Sequence, residues 1–165
     1  EGGEVVVEWS PQSITVRQLQ PTEPFRYSLT LPGETISEEF GWQFTAFDGS
    51  AEGTIQRRNS LEVCLPAAAV KGSLYFRSAV QGDTMRPLGF DGSRKLSDLF
   101  GEAKLSAAAR VRLPIVCDMI GPIWAPGICL DQRMKLTGLE ERAIILRFGQ
   151  VRQDPSHNME TGVRA

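Results

Sequence analysis

Short segments in which apolar and polar residues alternate fill the first half of the chain, and they limit the fold more than any other feature. In residues 25–31, Phe, Tyr and Leu alternate with Arg, Ser and Thr, and residues 41–47 repeat the alternation. A period of two is typical of a strand that buries one face. We predict that a turn at Pro32-Gly33 ends the first of these strands. Further strands are predicted over residues 4–9, 13–19, 60–65 and 73–78. Short strands with turn signals between them favour a sandwich or barrel-like arrangement.

The second half of the chain begins with a helical pattern. After Ser93, a predicted N-cap, four apolar residues recur at the spacing of one helix face: Leu96, Leu99, Phe100 and Ala103. Ser106 is predicted to cap a second short helix, which ends before Pro114. A hairpin around residues 120–122 and a late strand over residues 141–148 follow.

The charge of the chain is unevenly distributed. The net charge is −2, with a pI near 5.5, but residues 71–114 hold eight Lys/Arg against four Asp/Glu, a local charge of +4. The acidic total argues against a dedicated nucleic-acid protein. A basic segment on an acidic scaffold is nevertheless compatible with a phosphate-binding surface. Charge alone leaves ordinary solvated side chains as an equal alternative.

The composition predicts a cytoplasmic protein without a membrane segment. No apolar run approaches the roughly 20 residues that a membrane-spanning helix needs, and the first residues lack the features of a signal peptide. The three cysteines form no CxxC pair, so we predict buried free thiols rather than a zinc site: Cys64, Cys117 and Cys129.

The residue pattern predicts no catalytic or metal-binding constellation. The single histidine, His157, falls in a segment from Gln150 to the end that loses its apolar pattern and is predicted to be a disordered tail. There is no GxSxG or GxxxxGK[ST] motif. The adjacent acids Glu38-Glu39 and Glu140-Glu141 are expected to be solvated on surface loops.

The sequence GDTMRPLGFDGSRK, residues 82–95, is the most informative feature for binding, and we call it the central loop. Its glycines at 82, 89 and 92 permit tight turns, and Pro87 restricts Arg86 to an extended conformation. Backbone N–H groups leading into a helix start, beside Arg and Lys, suit a phosphate. The alternative is a β–α connection in which Arg86 and Asp83 form a bridge.

Residues 73–137 resemble the C-terminal domain of bacterial tRNA(Ile)-lysidine synthetase. They contain, in order, an arginine-bearing strand, a GD…RP.G loop, a K.L.D.F helix, an R…LP segment, a hairpin that ends W.PG and a final R.K.T strand. The matching positions are Arg77, Gly82, Asp83, Arg86, Pro87, Gly89, Lys95, Leu96, Asp98, Phe100, Lys104, Arg110, Pro114, Asp118, Trp124, Pro126, Gly127, Arg133, Lys135 and Thr137.

The resemblance implies an α+β fold with three layers, an unusual β-sandwich and two short helices, similar to part of the phenylalanyl-tRNA synthetase β chain. Residues 73–149 would form the domain, with residues 1–72 as β-rich lead-in strands packed on it and residues 150–165 as the tail. The family ligates lysine to the wobble cytidine of isoleucine tRNA with ATP. Its SGGxDS loop does not occur here, so we expect ATP and lysine to be substrates of the parent enzyme, and this fragment to have no cofactor and no catalysis of its own.

In the family this domain contacts the tRNA acceptor arm. The candidate contacts in this chain are Arg86, Arg94, Lys95, Lys104, Arg110, Arg133 and Lys135, because double-stranded RNA is recognised mainly through its backbone and shape. The alternative function is a structural or protein-interaction α/β module without RNA binding, which the acidic first half favours. Formation of a homodimer stays open.

Overall fold

The computed structural model describes residues 5–10, 13–18 and 24–151. Strands β1 (Val5–Ser10) and β2 (Ser13–Gln18) form an antiparallel hairpin, as predicted. The predicted tail, including His157, lies outside the described residues beyond Val151. No helix within the described ranges is long and apolar enough to cross a membrane.

Eleven further strands and two α-helices make up the rest of the described chain. The strands are β3 (Arg26–Ser28), β4 (Gly33–Ser37), β5 (Trp42–Gly49), β6 (Glu62–Pro66), β7 (Tyr75–Arg77), β8 (Thr84–Met85), β9 (Arg94–Lys95), β10 (Ile115–Cys117), β11 (Pro122–Ala125), β12 (Cys129–Leu130) and β13 (Ala143–Gln150). The helices are α1 (Leu96–Glu102) and α2 (Ala107–Arg112), and single 3-10 turns cover Ala67–Ala69 and Gln132–Met134.

Two antiparallel sheets pack face to face as a sandwich. One has five strands in the order β12-β11-β10-β7-β3, and the other has four in the order β4-β5-β13-β6. Trp42 and Phe44 on β5 alternate with half-buried polar residues and point into the space between the sheets. Phe44 stacks on Phe76 of the opposite sheet with ring centroids 4.7 Å apart. Burying one such ring stabilises the fold by about 1.5–3 kcal/mol.

Helix α1 forms a third layer on the outer face of the five-stranded sheet. Its apolar side chains Leu96, Leu99 and Phe100 join a second buried cluster with Ile115 and Cys117 of β10. Val116, between those two residues, faces the sandwich core instead. All three residues of β10 are buried because both faces of this strand are covered. The predicted three-layer α+β arrangement with two short helices is confirmed.

Several element boundaries differ from the prediction. The strand expected over residues 25–31 is limited to residues 26–28, and Gly33, assigned to a turn, begins strand β4, which the sequence analysis missed. Strand β4 lies at a sheet edge, and its one large apolar residue, Ile36, is on the exposed face, so the sequence of this strand lacks the apolar–polar alternation that predicts a strand. The hairpin around residues 120–122 and the late strand are confirmed.

The predicted cap of the first helix is wrong. Lys95, not Ser93, occupies the N-cap position and makes no capping hydrogen bond through its side chain. Arg94 and Lys95 pair instead with β8, and the Leu96 N–H donates to the carbonyl of Asp83 at 2.8 Å. The cap of the second helix is confirmed, since Ser106 Oγ accepts from the Ala109 N–H at 3.2 Å.

Strands on both sides of the boundary predicted at residue 72 share the two sheets. Strand β3 pairs with β7 in the five-stranded sheet, and β13 pairs with both β5 and β6 in the other. The boundary at residue 72 itself stays a prediction. At the other end of the domain, Gln150 was assigned to the tail but is the last residue of β13.

Helix α1 ends in a Schellman motif that places a lysine where glycine is usual. The Lys104 N–H donates to the carbonyl of Gly101, and the Leu105 N–H donates to that of Phe100, each at 3.0 Å. Lys104 has a φ of 55°, a left-handed conformation in which a Cβ atom is unfavourable.

We therefore expect Lys104→Gly to raise the free energy of unfolding by about 0.5–1 kcal/mol, because glycine removes the Cβ contact at this φ. Lys104→Ala is the matched control, since it removes the charged side chain but keeps the Cβ. Urea denaturation followed by circular dichroism measures both changes. Equal stability of the two variants would contradict the assignment of a left-handed residue at 104.

Candidate nucleic-acid interface

An ion pair fixes the start of the central loop. Both guanidinium Nη atoms of Arg77 donate to the carboxylate of Asp83 at 2.8 Å, and the Val80 N–H donates to the same carboxylate at 2.8 Å. Asp83 therefore pairs with Arg77 on β7, and the alternative in which Arg86 forms a bridge to Asp83 is wrong. Burial alone would raise the pKa of Asp83, but the hydrogen bonds from Arg77 and Val80 outweigh it and lower the pKa.

Backbone N–H groups of the central loop donate hydrogen bonds to acceptors within the protein, unlike the free N–H groups that the predicted anion site requires. Phosphate binding was expected to use converging N–H groups at the loop and helix start. Six of these amides donate to protein acceptors: those of Asp83, Arg86, Leu88, Gly89, Phe90 and Leu96. Helix α1 is also only seven residues long, so its dipole adds little. The cationic side chains are left as the groups that can contact an anion.

Glycines give the loop its path, as predicted. Gly82, Gly89 and Gly92 have φ values of 93°, 74° and 99°, which few other residues adopt. Between these turns, Arg86 projects an exposed side chain. That side chain forms no ion pair or hydrogen bond with the residues the structure describes.

The buried carboxylate of Asp131 joins Arg86 to Arg133. One of its oxygens accepts from the Arg86 N–H at 2.8 Å, and the other accepts from the Arg133 N–H at 2.9 Å. Gln132 adds two contacts to the loop: its N–H donates to the Arg86 carbonyl at 2.6 Å, and its side-chain oxygen accepts from the Gly89 N–H at 2.8 Å. Two of the predicted contact residues are thereby held beside each other.

Arg133 is oriented by a second buried acid. Its Nη1 and Nη2 atoms donate to the two oxygens of Asp118 at 3.0 and 3.1 Å. Asp118 is completely buried, and burial alone would raise its pKa. The hydrogen bonds from Arg133 and from the N–H groups of Lys71, Ile120 and Gly121 outweigh burial and lower the pKa instead.

Three adjoining clefts bring four of the predicted cations onto one surface. Arg86 and Arg133 line a cleft of about 330 Å³ between the central loop and the turn at residues 120–122. Lys95 lines a neighbouring cleft of about 290 Å³, which shares Gly82 and Asp83 with the first. Arg133 also lines a third cleft of about 780 Å³, together with Lys135. We call this surface, defined by Lys95, Arg86, Arg133 and Lys135, the basic groove.

The other three predicted contact residues do not line these clefts within the described part of the chain. Arg94 forms an ion pair with Glu102 and lies 5.9 Å from the centroid of the Phe90 ring. Arg110 donates from Nε to the carbonyl of Leu105 at 3.0 Å, between the two helices. Lys104 sits at the end of α1. Two of these three cations are therefore engaged within the protein.

The residues that support the groove were not among the predicted RNA contacts. Arg77, Asp83 and Asp118 all occur in the matched motif, which is the only signal that marks them. Asp131 is outside that set. An aspartate two positions before an arginine is common on protein surfaces, so the sequence does not indicate that Asp131 is buried. Burial and the identity of the partner depend on tertiary contacts that a sequence pattern does not report.

The cysteines have the properties of structural thiols. Cys64, Cys117 and Cys129 are free and buried, as predicted. Burial raises the pKa of Cys117 to about 11 and that of Cys129 to about 12, so both stay protonated at neutral pH. Across residues 24–151, no group of three or more His, Cys, Asp or Glu side chains is arranged to hold a metal ion.

We expect Asp83→Asn to lower the free energy of unfolding at pH 7 by about 1–3 kcal/mol, because Arg77 loses its charged partner while largely buried. The pKa of Asp83 is lower in the folded state than its ordinary value of 3.8. The stabilisation is therefore complete above pH 3.8 and is lost as the pH falls through the lower folded-state pKa.

Urea denaturation between pH 7 and pH 2.5 measures this dependence. The difference between the wild-type chain and Asp83→Asn should shrink as the pH falls below 3.8. A difference that is constant across this range would contradict the ion pair.

Comparisons with known proteins agree with the motif and with the fold. The family described as "TilS substrate C-terminal domain" matches residues 73–146. The tRNA(Ile)-lysidine synthase of Symbiobacterium thermophilum is 28% identical over 109 residues, which are 66% of this chain and 23% of that protein. The bifunctional protein TilS/HprT of Listeria monocytogenes serotype 4b is 35% identical over 85 residues, 51% of this chain and 13% of that protein. The chain thus spans a quarter or less of these relatives.

A solved structure extends the agreement beyond the matched residues. The crystal structure of a TilS C-terminal domain superposes with a TM-score of 0.71 at 26% identity, and the match covers 79% of this chain and 99% of that one. The resemblance found in the sequence to the C-terminal domain of tRNA(Ile)-lysidine synthetase is therefore confirmed.

Proposed function

We propose that this chain is the tRNA-binding C-terminal region of a tRNA(Ile)-lysidine synthase, and that the basic groove receives the backbone of the tRNA acceptor arm. The observation that carries the proposal is the shared lining of the three clefts, which joins Lys95, Arg86, Arg133 and Lys135 into one surface. A duplex backbone presents phosphates at regular intervals, so several cations on one surface can contact successive phosphates, whereas a single pocket holds one.

The acidic residues of the groove support this assignment, because most of their charge is directed inward. Asp83 binds Arg77, and Asp131 accepts from two backbone amides. Among the three clefts of the groove, only the third contains an exposed acid, Glu141, and the neighbouring Glu140 is half-buried and accepts from Thr137 and Gly138. We therefore expect the strongest phosphate contacts at Arg86 and Lys95.

The proposal extends to the activity of the complete enzyme of which this chain would be one region. By its family, the complete enzyme would ligate lysine to the wobble cytidine of isoleucine tRNA with ATP, and this region would hold the far end of the tRNA during that reaction. A cytoplasmic location, where such tRNAs occur, fits the three free cysteines. This region itself supplies RNA contacts and neither an ATP site nor a catalytic residue.

A second candidate function is a protein-interaction module without RNA binding. The turn between β10 and β11 favours it, since Met119 is 77% exposed and Ile120 is 65% exposed beside the first cleft. Exposed apolar side chains next to a cleft are a common feature of protein interfaces. The two functions differ in their response to salt. Binding of a nucleic acid releases condensed counterions and weakens steeply as salt rises, whereas a protein contact through the exposed apolar turn depends little on salt.

We expect Arg86→Ala and Lys95→Ala each to weaken binding of an isoleucine tRNA transcript by about 1–3 kcal/mol, the scale of a charge-assisted hydrogen bond. Each should also reduce the slope of log K against log salt by about one unit. Thermal midpoints should change little for Lys95→Ala, since this side chain is exposed. Fluorescence anisotropy at several salt concentrations measures affinity and slope together.

Arg57→Ala is the matched control, because Arg57 is an exposed arginine that lines a different cleft. A hairpin with only the acceptor arm should retain most of the affinity, and one with only the anticodon arm should not. Wild-type binding that does not depend on salt, or an equal loss in all three variants, would favour the interaction module.

A further inference from the structure

Arg133 differs from the other cations of the basic groove in the way it is held. Its guanidinium group donates from both Nη atoms to Asp118, at 3.0 and 3.1 Å. Its side chain is 26% exposed, while that of Asp118 has no exposure at all. Arg86 and Lys95, in contrast, are exposed and form no ion pair with the described residues.

The position of Asp118 does not depend on Arg133 alone. Its Oδ2 accepts from the Lys71 N–H at 3.0 Å, and its Oδ1 accepts from the N–H groups of Ile120 and Gly121 at 2.9 and 3.2 Å. Three backbone donors from two separate segments therefore hold the carboxylate. The guanidinium plane that it binds is fixed as a consequence.

Donors remain on Arg133 after this contact. A guanidinium group has five N–H donors, and Asp118 occupies one on each Nη atom. The Nε–H and the second Nη2–H stay side by side on the adjacent edge, with the spacing that suits two phosphate oxygens. The carboxylate of Asp131 lies along that edge at ion-pair distance, with Oδ1 3.8 Å from Nε, but Nε donates no hydrogen bond to it. Arg133 lines both the first and the third cleft.

We infer that Asp118 is a positioning residue for RNA binding: it turns the Nε/Nη2 edge of Arg133 toward a backbone phosphate in the groove. This inference rests on the proposed function. Because Asp118 cancels the charge of Arg133 locally, Arg133 contributes to affinity through directed hydrogen bonds rather than as a point charge. Arg86 and Lys95 contribute through their charge. The two kinds of contact therefore respond differently when arginine is replaced by lysine.

The test compares Arg133→Lys with Arg86→Lys in the full chain, using the isoleucine tRNA transcript as the probe. Both changes keep the charge and remove the guanidinium fork. Arg133→Lys should raise Kd roughly 5–30-fold, the effect of one lost bidentate contact, with no change in the salt slope. Arg86→Lys should change Kd by less than about twofold, since a lysine supplies the same point charge.

Asp118→Asn tests the positioning role directly. It should raise Kd about as much as Arg133→Lys does, and it should have little further effect when combined with Arg133→Lys, because both changes remove the same contact. Affinity is measured below the thermal midpoint of each variant, where a purely structural role of Asp118 would leave Kd unchanged. If Asp118→Asn does not fold, the comparison of the two lysine variants decides the question alone.

The outcomes separate this inference from the proposed function. A Kd for Arg133→Lys within about twofold of the wild type, while Arg86→Ala still weakens binding, would overturn the positioning role and leave tRNA binding intact. An additive effect of Asp118→Asn on Arg133→Lys would overturn it as well. Wild-type binding of the transcript that does not depend on salt would instead overturn the proposed function.

Discussion

The carboxylate of Asp131 is the contact on which the groove depends. It is 4% exposed and accepts from the N–H groups of both Arg86 and Arg133. Arg86 lies 45 positions before Asp131 in the chain, whereas Arg133 lies two positions after it. One buried side chain thus connects the central loop to the turn after β12. Without this contact, the cleft between the loop and the β10–β11 turn would lose one wall.

Internal pairing explains how an acidic chain can present a basic surface. Asp83, Asp118 and Asp131 are all bound by arginine or by backbone amides close to the groove. For Asp83 and Asp118 these bonds lower the pKa, so both acids stay charged and bound at neutral pH. Their negative charge offsets Arg77 and Arg133 rather than Arg86 and Lys95. The net charge of −2 therefore says little about the local field of the groove.

The sequence predicted the layers of the fold better than the details of the loop. Alternation in β5 and the helical spacing after Ser93 report burial directly, and both appear in the structure except at Ala103, which caps the end of α1 and is exposed. Strand β4 escaped detection because an edge strand can expose an apolar residue such as Ile36. Ser93 has the chemistry of an N-cap, but pairing of the next two residues with β8 moved the helix start to Leu96. At this position a tertiary contact outweighed the local capping propensity of Ser93.

The candidate site was predictable as a set of cations but not as an arrangement. The order of the motif carried the family resemblance and included all four residues of the groove. It did not reveal that Asp83 binds Arg77, since the partner comes from another strand. It also could not separate Arg94, which Glu102 neutralises, from Arg86, which keeps its charge available.

The most direct test of the account is an NMR titration of the uniformly 15N-labelled chain with a hairpin that carries the acceptor arm of isoleucine tRNA. If the groove binds the acceptor arm, the Arg86 and Arg133 Nε signals and the Gly82 and Lys95 amide signals should shift saturably, and the Arg57 signals should not change. Shifts confined to the other clefts, or no shifts with the hairpin in large molar excess, would contradict the assignment of the groove as the tRNA-binding surface.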